Sequence, residues 1–181
     1  MLTQIRTFLA RFRSAIGGLS AIEFAIILPV MLTSLLGAVE VSNGMLADRK
    51  VTQTTSTLAD LVSQDNSVTN AEINDIFAAA VAVMHPINAT GMRMRISSVV
   101  ADANGITRVA WSDARNMSAR AVNSTITVPA GMVAANGSVI LTEVELNYSS
   151  SFGEFLTNGV TLQDKFYLRP RRTLKIARVA S

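Results

Sequence analysis

The chain contains no cysteine, which excludes disulfides, iron–sulfur clusters and thiolate zinc sites. It has a single histidine, His85. A Ser-His-Asp triad would have to use it, and no nucleophile elbow marks a serine partner. No His and carboxylate cluster has metal-ligand spacing, and no glycine-rich phosphate loop occurs. Charged residues make up only 16% of the chain, against 49% hydrophobic. That balance excludes a disordered tail and a highly charged soluble protein. The reading expects no enzyme, no metal and no cofactor.

What charge there is falls in three zones. Residues 1–18 carry Arg6, Arg11 and Arg13 and no acid. Residues 19–163 carry 7 basic and 12 acidic groups, net −5. Residues 164–181 carry six basic groups against Asp164, net +5. The formal charge of +3 therefore reflects the two ends and not a uniformly basic surface.

Long apolar runs are otherwise scarce, and one stands out. Leu19 to Val39 reads LSAIEFAIILPVMLTSLLGAV, with Glu23 as its one charge. At about 1.5 Å per helical residue it spans roughly 30 Å, the thickness of a bilayer's hydrocarbon core. The arginines before it place the N-terminus on the cytoplasmic side and the rest of the chain across the membrane. Two other readings exist for such a run. A removable signal peptide fits the basic start, with Leu36-Gly37-Ala38 as a weak cleavage site, but its apolar region is shorter and lacks a carboxylate. A soluble core helix is apolar on one face only, whereas this run is apolar all round.

Glu23 is the informative residue. An ionisable group in a membrane helix is costly, so it snorkels to the interface or has a partner. Gly17-Gly18 precede it. A cut after Gly18 would make Leu19 a new N-terminus, with its ammonium one helical turn from the Glu23 carboxylate and aromatic Phe24 following. Between subunits in a low dielectric the two charges would neutralise each other. Basic leader, glycine, four residues, glutamate, aromatic, apolar run: Gly18-Leu-Ser-Ala-Ile-Glu23-Phe24 resembles the prepilin-peptidase motif of type IV pilins. Its short Glu-Phe form resembles the Flp/Tad (tight adherence) subclass.

Beyond the run, Met45, Leu46, Val51, Leu58, Leu61 and Val62 recur at helical spacing, so the helix is expected to continue to about Gln64, kinked at Pro29. Thr69 and Glu72 fit a capping box. Ile73, Ile76, Phe77, Ala80, Val81 and Met84 then form an apolar stripe, ended by His85-Pro86. After Pro86 the period becomes two. Met92, Met94 and Ile96 alternate with Arg93 and Arg95, and Asn104-Gly105 offers a two-residue hairpin turn into 106–112. Residues 113–122 read as a short helix or a loop. Ser138–Tyr148 is the best strand, with Ile140, Val144, Leu146 and Tyr148 on one face and Glu143, Glu145 and Asn147 on a solvated one. Lys165–Leu168 and Thr173–Val179 read as closing strands. The expected fold is α+β: a long N-terminal membrane helix and a second helix packed on an antiparallel sheet. The expected division is a basic leader at 1–18, a transmembrane helix at 19–40, a helical extension at 41–66 and an extracytoplasmic α+β domain at 67–181.

The later segments are similar to the TadE/TadG-like pseudopilin family. The likeness lies in Val109-Ala110-Trp111-Ser112, Pro129-Ala130-Gly131, Val144-Glu145-Leu146-Asn147-Tyr148 and Tyr167-Leu168-Arg169-Pro170-Arg171. Ser150 stands where relatives tend to show a second aromatic. The resemblance implies a minor pseudopilin of a Flp/Tad type IVb pilus, anchored in a bacterial inner membrane with its outer domain periplasmic. Gly18 and Leu19 would serve processing, and Glu23 and Phe24 assembly. Implied partners are a prepilin peptidase, other pilins or pseudopilins, an inner-membrane assembly platform and the lipid bilayer, with no nucleic acid. Arg169, Arg171 and Arg172 are candidate contacts for headgroups or a partner, or else a salt-bridging rim. The alternative function is an unprocessed single-pass envelope protein acting as a tethered binding or sensor module.

Overall fold

The structure, a computed structural model, describes residues 16–149 and 159–179. The leader arginines and Ser150 lie outside them. Two compact units are present, Met1–Ser42 and Asn43–Ser181. Helix α1 spans Ile16–Ser63. Pro29 lies within it without interrupting it. Thr33 Oγ1 donates to the Pro29 carbonyl at 2.9 Å, a bond to the preceding turn that helical threonines commonly make.

In the second unit the buried positions of α1 are Ala47, Val51, Thr54, Thr55, Leu58, Ala59, Val62 and Ser63. Their steps of three and four residues make one stripe. Met45 and Leu46 are not part of it, each being 57% exposed. Both recur at the expected helical spacing, but a stripe set by Val51 and Leu58 passes through Ala47 instead. After α1 come β1 (Ser67–Val68), α2 (Asn70–Val83), β2 (Arg93–Ala101), β3 (Thr107–Arg115), β4 (Ser138–Tyr148), β5 (Val160–Leu168) and β6 (Ala177–Arg178).

The N-terminus of α2 is the expected capping box. The Glu72 amide donates to Thr69 Oγ1, and the Thr69 amide donates to the Glu72 carboxylate at 2.7 Å. These bonds satisfy amides that the first turn leaves unpaired. Ile73, Ile76, Phe77 and Ala80 are buried, with Met84 at the C-cap. Val81 is 39% exposed and lies at the edge of the stripe.

The main sheet is antiparallel, in the order β3-β2-β4-β5. One face holds Met94, Ile96, Trp111, Ile140, Val144 and Leu146, in one core with Val51, Leu58 and Val62 of α1 and Ile73, Phe77 and Ala80 of α2. Thr142 Oγ1 ties sheet to helix by donating to the Thr55 carbonyl at 2.8 Å.

The other face is covered over only part of its length: Asn147 is exposed, as expected, and Glu145 is half-buried. Val99, Val139 and Leu141 are buried there under Ile126, Val128 and Val133 of the long β3–β4 connection, 116–137. Residues 113–115 extend β3, so no helix forms there. The β2–β3 hairpin is wider than a two-residue turn. Ala101 pairs with Thr107, and residues 102–106 loop out with Gly105 at φ +79°. Asp102 Oδ1 closes the loop by accepting from the amides of Asn104 and Ile106, the local bonding that favours Asp in turns.

The chain's end also differs from expectation. Residues 173–176 form no strand, and only Ala177–Arg178 pair, in parallel with Ser67–Val68. Strand β5 is longer than expected and starts at Val160.

Candidate functional site

Gly18, Leu19, Glu23 and Phe24 all fall on α1, near its start. Leu19 and Phe24 are each 59% exposed, and Gly18 and Glu23 are exposed as well. The apolar side chains that follow stay open: Ile22, Ile26, Val30, Met31 and Leu35 bury nothing against the chain. From Gly18 the helix is long and apolar enough to cross a membrane, and none of its most apolar stretch is buried. A soluble core helix would bury one face, so this segment is anchor-like.

Gly18 has no structural duty in the chain. A Cβ built there meets nothing within 4 Å, and glycine inside a helix costs about 1 kcal/mol relative to alanine. The peptide bond between Gly18 and Leu19 lies within the helix.

The comparison with protein families matches this same segment. Residues 18–60 match the family model described as TadE-like protein.

Over residues 18–60 the chain is similar to TadE-like proteins.

The TadE-like segment begins at Gly18 and takes in Leu19, Glu23, Phe24, the apolar run and most of the outer part of α1. It ends at residue 60, before the segments around Trp111, Pro129, Tyr148 and Arg169. No curated protein and no solved structure matches the chain.

The basic tail residues are not brought together on one target. Arg169 donates from Nε to the Met132 carbonyl at 3.0 Å and from Nη2 to the Gly131 carbonyl at 3.2 Å. Arg171 pairs with Asp60 on α1, and its amide donates to the Ser63 carbonyl at 2.9 Å. Arg172 is exposed. Arg169 and Arg171 thus make contacts within the chain, and all three side chains are exposed.

The reading of Glu143 as one of a solvated pair is overturned. Glu143 is 3% exposed. It accepts from Arg95 Nε at 2.6 Å and from Arg120 Nη2 at 2.8 Å, with Lys165 Nζ at 3.3 Å. Burial pushes its carboxyl up, but the hydrogen bonds and charges of Arg95 and Arg120 outweigh this and hold it below the ordinary carboxylate value. Arg120 comes from the β3–β4 connection, and Arg95 Nη1 also donates to the Ser118 carbonyl. The cluster therefore fastens the connection across the sheet. One signal for it was present: Arg93 and Arg95 alternate on one strand as Glu143 and Glu145 do on another, opposite in charge. Arg93 does pair with Glu145, at 2.9 Å.

Asp113 and Arg178 form a second pair, at 2.8 Å. Hydrogen bonding to Asp113 raises the guanidinium further above its already high value. Among the described residues no group of three or more His, Asp or Glu side chains is placed to hold a metal ion.

Proposed function

We propose that the chain is a minor pseudopilin of a Flp/Tad type IVb pilus system, a substrate for processing and assembly and not an enzyme. The observation that carries this reading is the start of the TadE-like match at Gly18. Glycine there is unexplained by packing, and Glu23 follows five residues later on an apolar helix. A prepilin peptidase cuts after Gly18. The new ammonium of Leu19 then offsets the Glu23 carboxylate, on the same chain or a neighbour, where an unpaired charge in low dielectric is expensive. Phe24 and the exposed apolar side chains pack against lipid first and against pilin helices later. The N-terminus is cytoplasmic, the outer unit is periplasmic, and the partners are the peptidase, other pilins and an inner-membrane platform.

The test is the mass of the N-terminal peptide of protein isolated from its own membranes. A chain beginning at Leu19 is the expected result. Gly18→Ala should leave Met1 in place, and Glu23→Ala should permit cutting but block pilus formation. Processing and pili unchanged in both variants would sink the mechanism. An intact Met1 in the native chain would favour a tethered binding module.

A further inference from the structure

The most exposed large hydrophobic side chain among the described residues is not on the anchor-like helix. It is Leu174, 78% exposed, against 69% for Ile26, the highest on α1. Arg172 and Lys175, both exposed, flank it.

The loop that carries Leu174 is held firmly. The Arg171 amide donates to the Ser63 carbonyl, Ser138 Oγ donates to the Leu174 carbonyl at 2.5 Å, and Trp111 Nε1 donates to the Ile176 carbonyl at 2.8 Å. Ile176 is buried in the main core beside them. A fold that fixes the backbone on both sides of a leucine and leaves its side chain in water has preorganised a projecting knob. Preorganisation lowers the entropy lost on binding. An apolar side chain ringed by polar, solvent-accessible ones also matches the core-and-rim layout of an interface.

We propose that loop 171–175 docks a different protein, one that presents carboxylates around an apolar recess. Leu174 enters the recess, and Arg172 and Lys175 meet the carboxylates.

Charge and geometry choose this partner over others. Of the six cations in residues 164–181, Lys165, Arg171 and Arg178 are met by Glu143, Asp60 and Asp113, and Arg172 and Lys175 beside Leu174 are exposed. A polyanionic polymer would use the cations but leave Leu174 in water. A bilayer needs more than one leucine, since even a whole acyl chain anchors only marginally. The loop is also held at Ser63, about 30 Å along the helix from Asn43, where the second unit begins. The proposal does not depend on cutting after Gly18, so the two readings fail separately.

The experiment places a photoreactive benzoylphenylalanine at Arg172 in the full-length protein in its own membranes. Irradiation should give one dominant adduct, to another protein, at a peptide bearing Asp or Glu beside apolar residues. Leu174→Ser and Lys175→Glu should each lower its yield about tenfold. Exchanging the partner's carboxylate for lysine should restore yield in Lys175→Glu. Trp111, the only tryptophan, reports through unshifted fluorescence that the loop's anchorage is intact, as expected for two exposed side chains. Adducts only to lipid or to a second copy of this chain, no adduct, or a yield indifferent to both substitutions would each overturn the proposal.

Discussion

Glu143 shows how a single residue can carry a tertiary junction. Its carboxylate answers Arg95 from the neighbouring strand and Arg120 from the connection above. Removing it leaves two guanidiniums in a poorly hydrated place, and breaking a buried pair costs about 3–5 kcal/mol. Arg95 and Arg120 retain some solvent contact, with 17% and 27% of their side chains exposed. Glu143→Gln should therefore cost about 2–3 kcal/mol, read by urea unfolding of the full-length protein in detergent with Trp111 fluorescence. Because the folded carboxyl lies below its ordinary value of 4.5, its stabilisation is present above that value. It is lost as the pH falls through the folded value. Native stability should therefore drop as the pH falls below about 4.5, and the Gln variant should show a shallower loss. Equal slopes would show that other carboxylates dominate.

At the scale of elements, local chemistry was read well where it is local. The capping box of α2 lies within four residues of sequence, and the structure contains both of its bonds. Thr69→Ala should cost about 1 kcal/mol, and Thr69→Ser should restore most of it; urea midpoints of the two variants check this. The alternation of Met94 and Ile96 with Arg93 and Arg95 likewise marked β2, where both apolar side chains are fully buried. What failed was the far face of the sheet. A strand with polar residues on one side looks half-solvated, and nothing in its period tells that a distant connection will cover it. The connection carries its own local signal in asparagine. Asn116, Asn123 and Asn136 all adopt positive φ, near +60°, a region that asparagine enters more readily than most residues. Their Asn-X-Ser/Thr contexts are thus turn chemistry of a loop bent back across a sheet.

For the molecule as a whole, the division at residues 42 and 43 separates two kinds of surface. The stripe that enters the core begins at Ala47, and the main cluster takes nothing from residues before Val51. A chain beginning at Asn43 should therefore fold cooperatively without detergent and keep the Trp111 emission of the full-length protein. Circular dichroism and fluorescence through a thermal melt check this. A chain that aggregates or melts without cooperativity would mean that the segment before Asn43 supports the fold.

The sequence by itself determined what is contiguous. An apolar run beside a basic leader, a glycine and glutamate at a spacing of five, a capping box and an alternating strand are all stated within one or two turns of chain. The physical forces that read them act over the same distance: helix periodicity, orphan amides and the cost of charge in an apolar medium. Only the tertiary structure decided which polar residues outside the anchor-like run are buried and which apolar ones there are not. Glu143 is covered because cations from three other segments converge on it, and Leu174 sits on a loop whose backbone Ser138 holds at the Leu174 carbonyl and Trp111 at the Ile176 carbonyl. Those outcomes depend on groups far apart in sequence, and burial is a property of what the folded chain brings near, not of the residue itself.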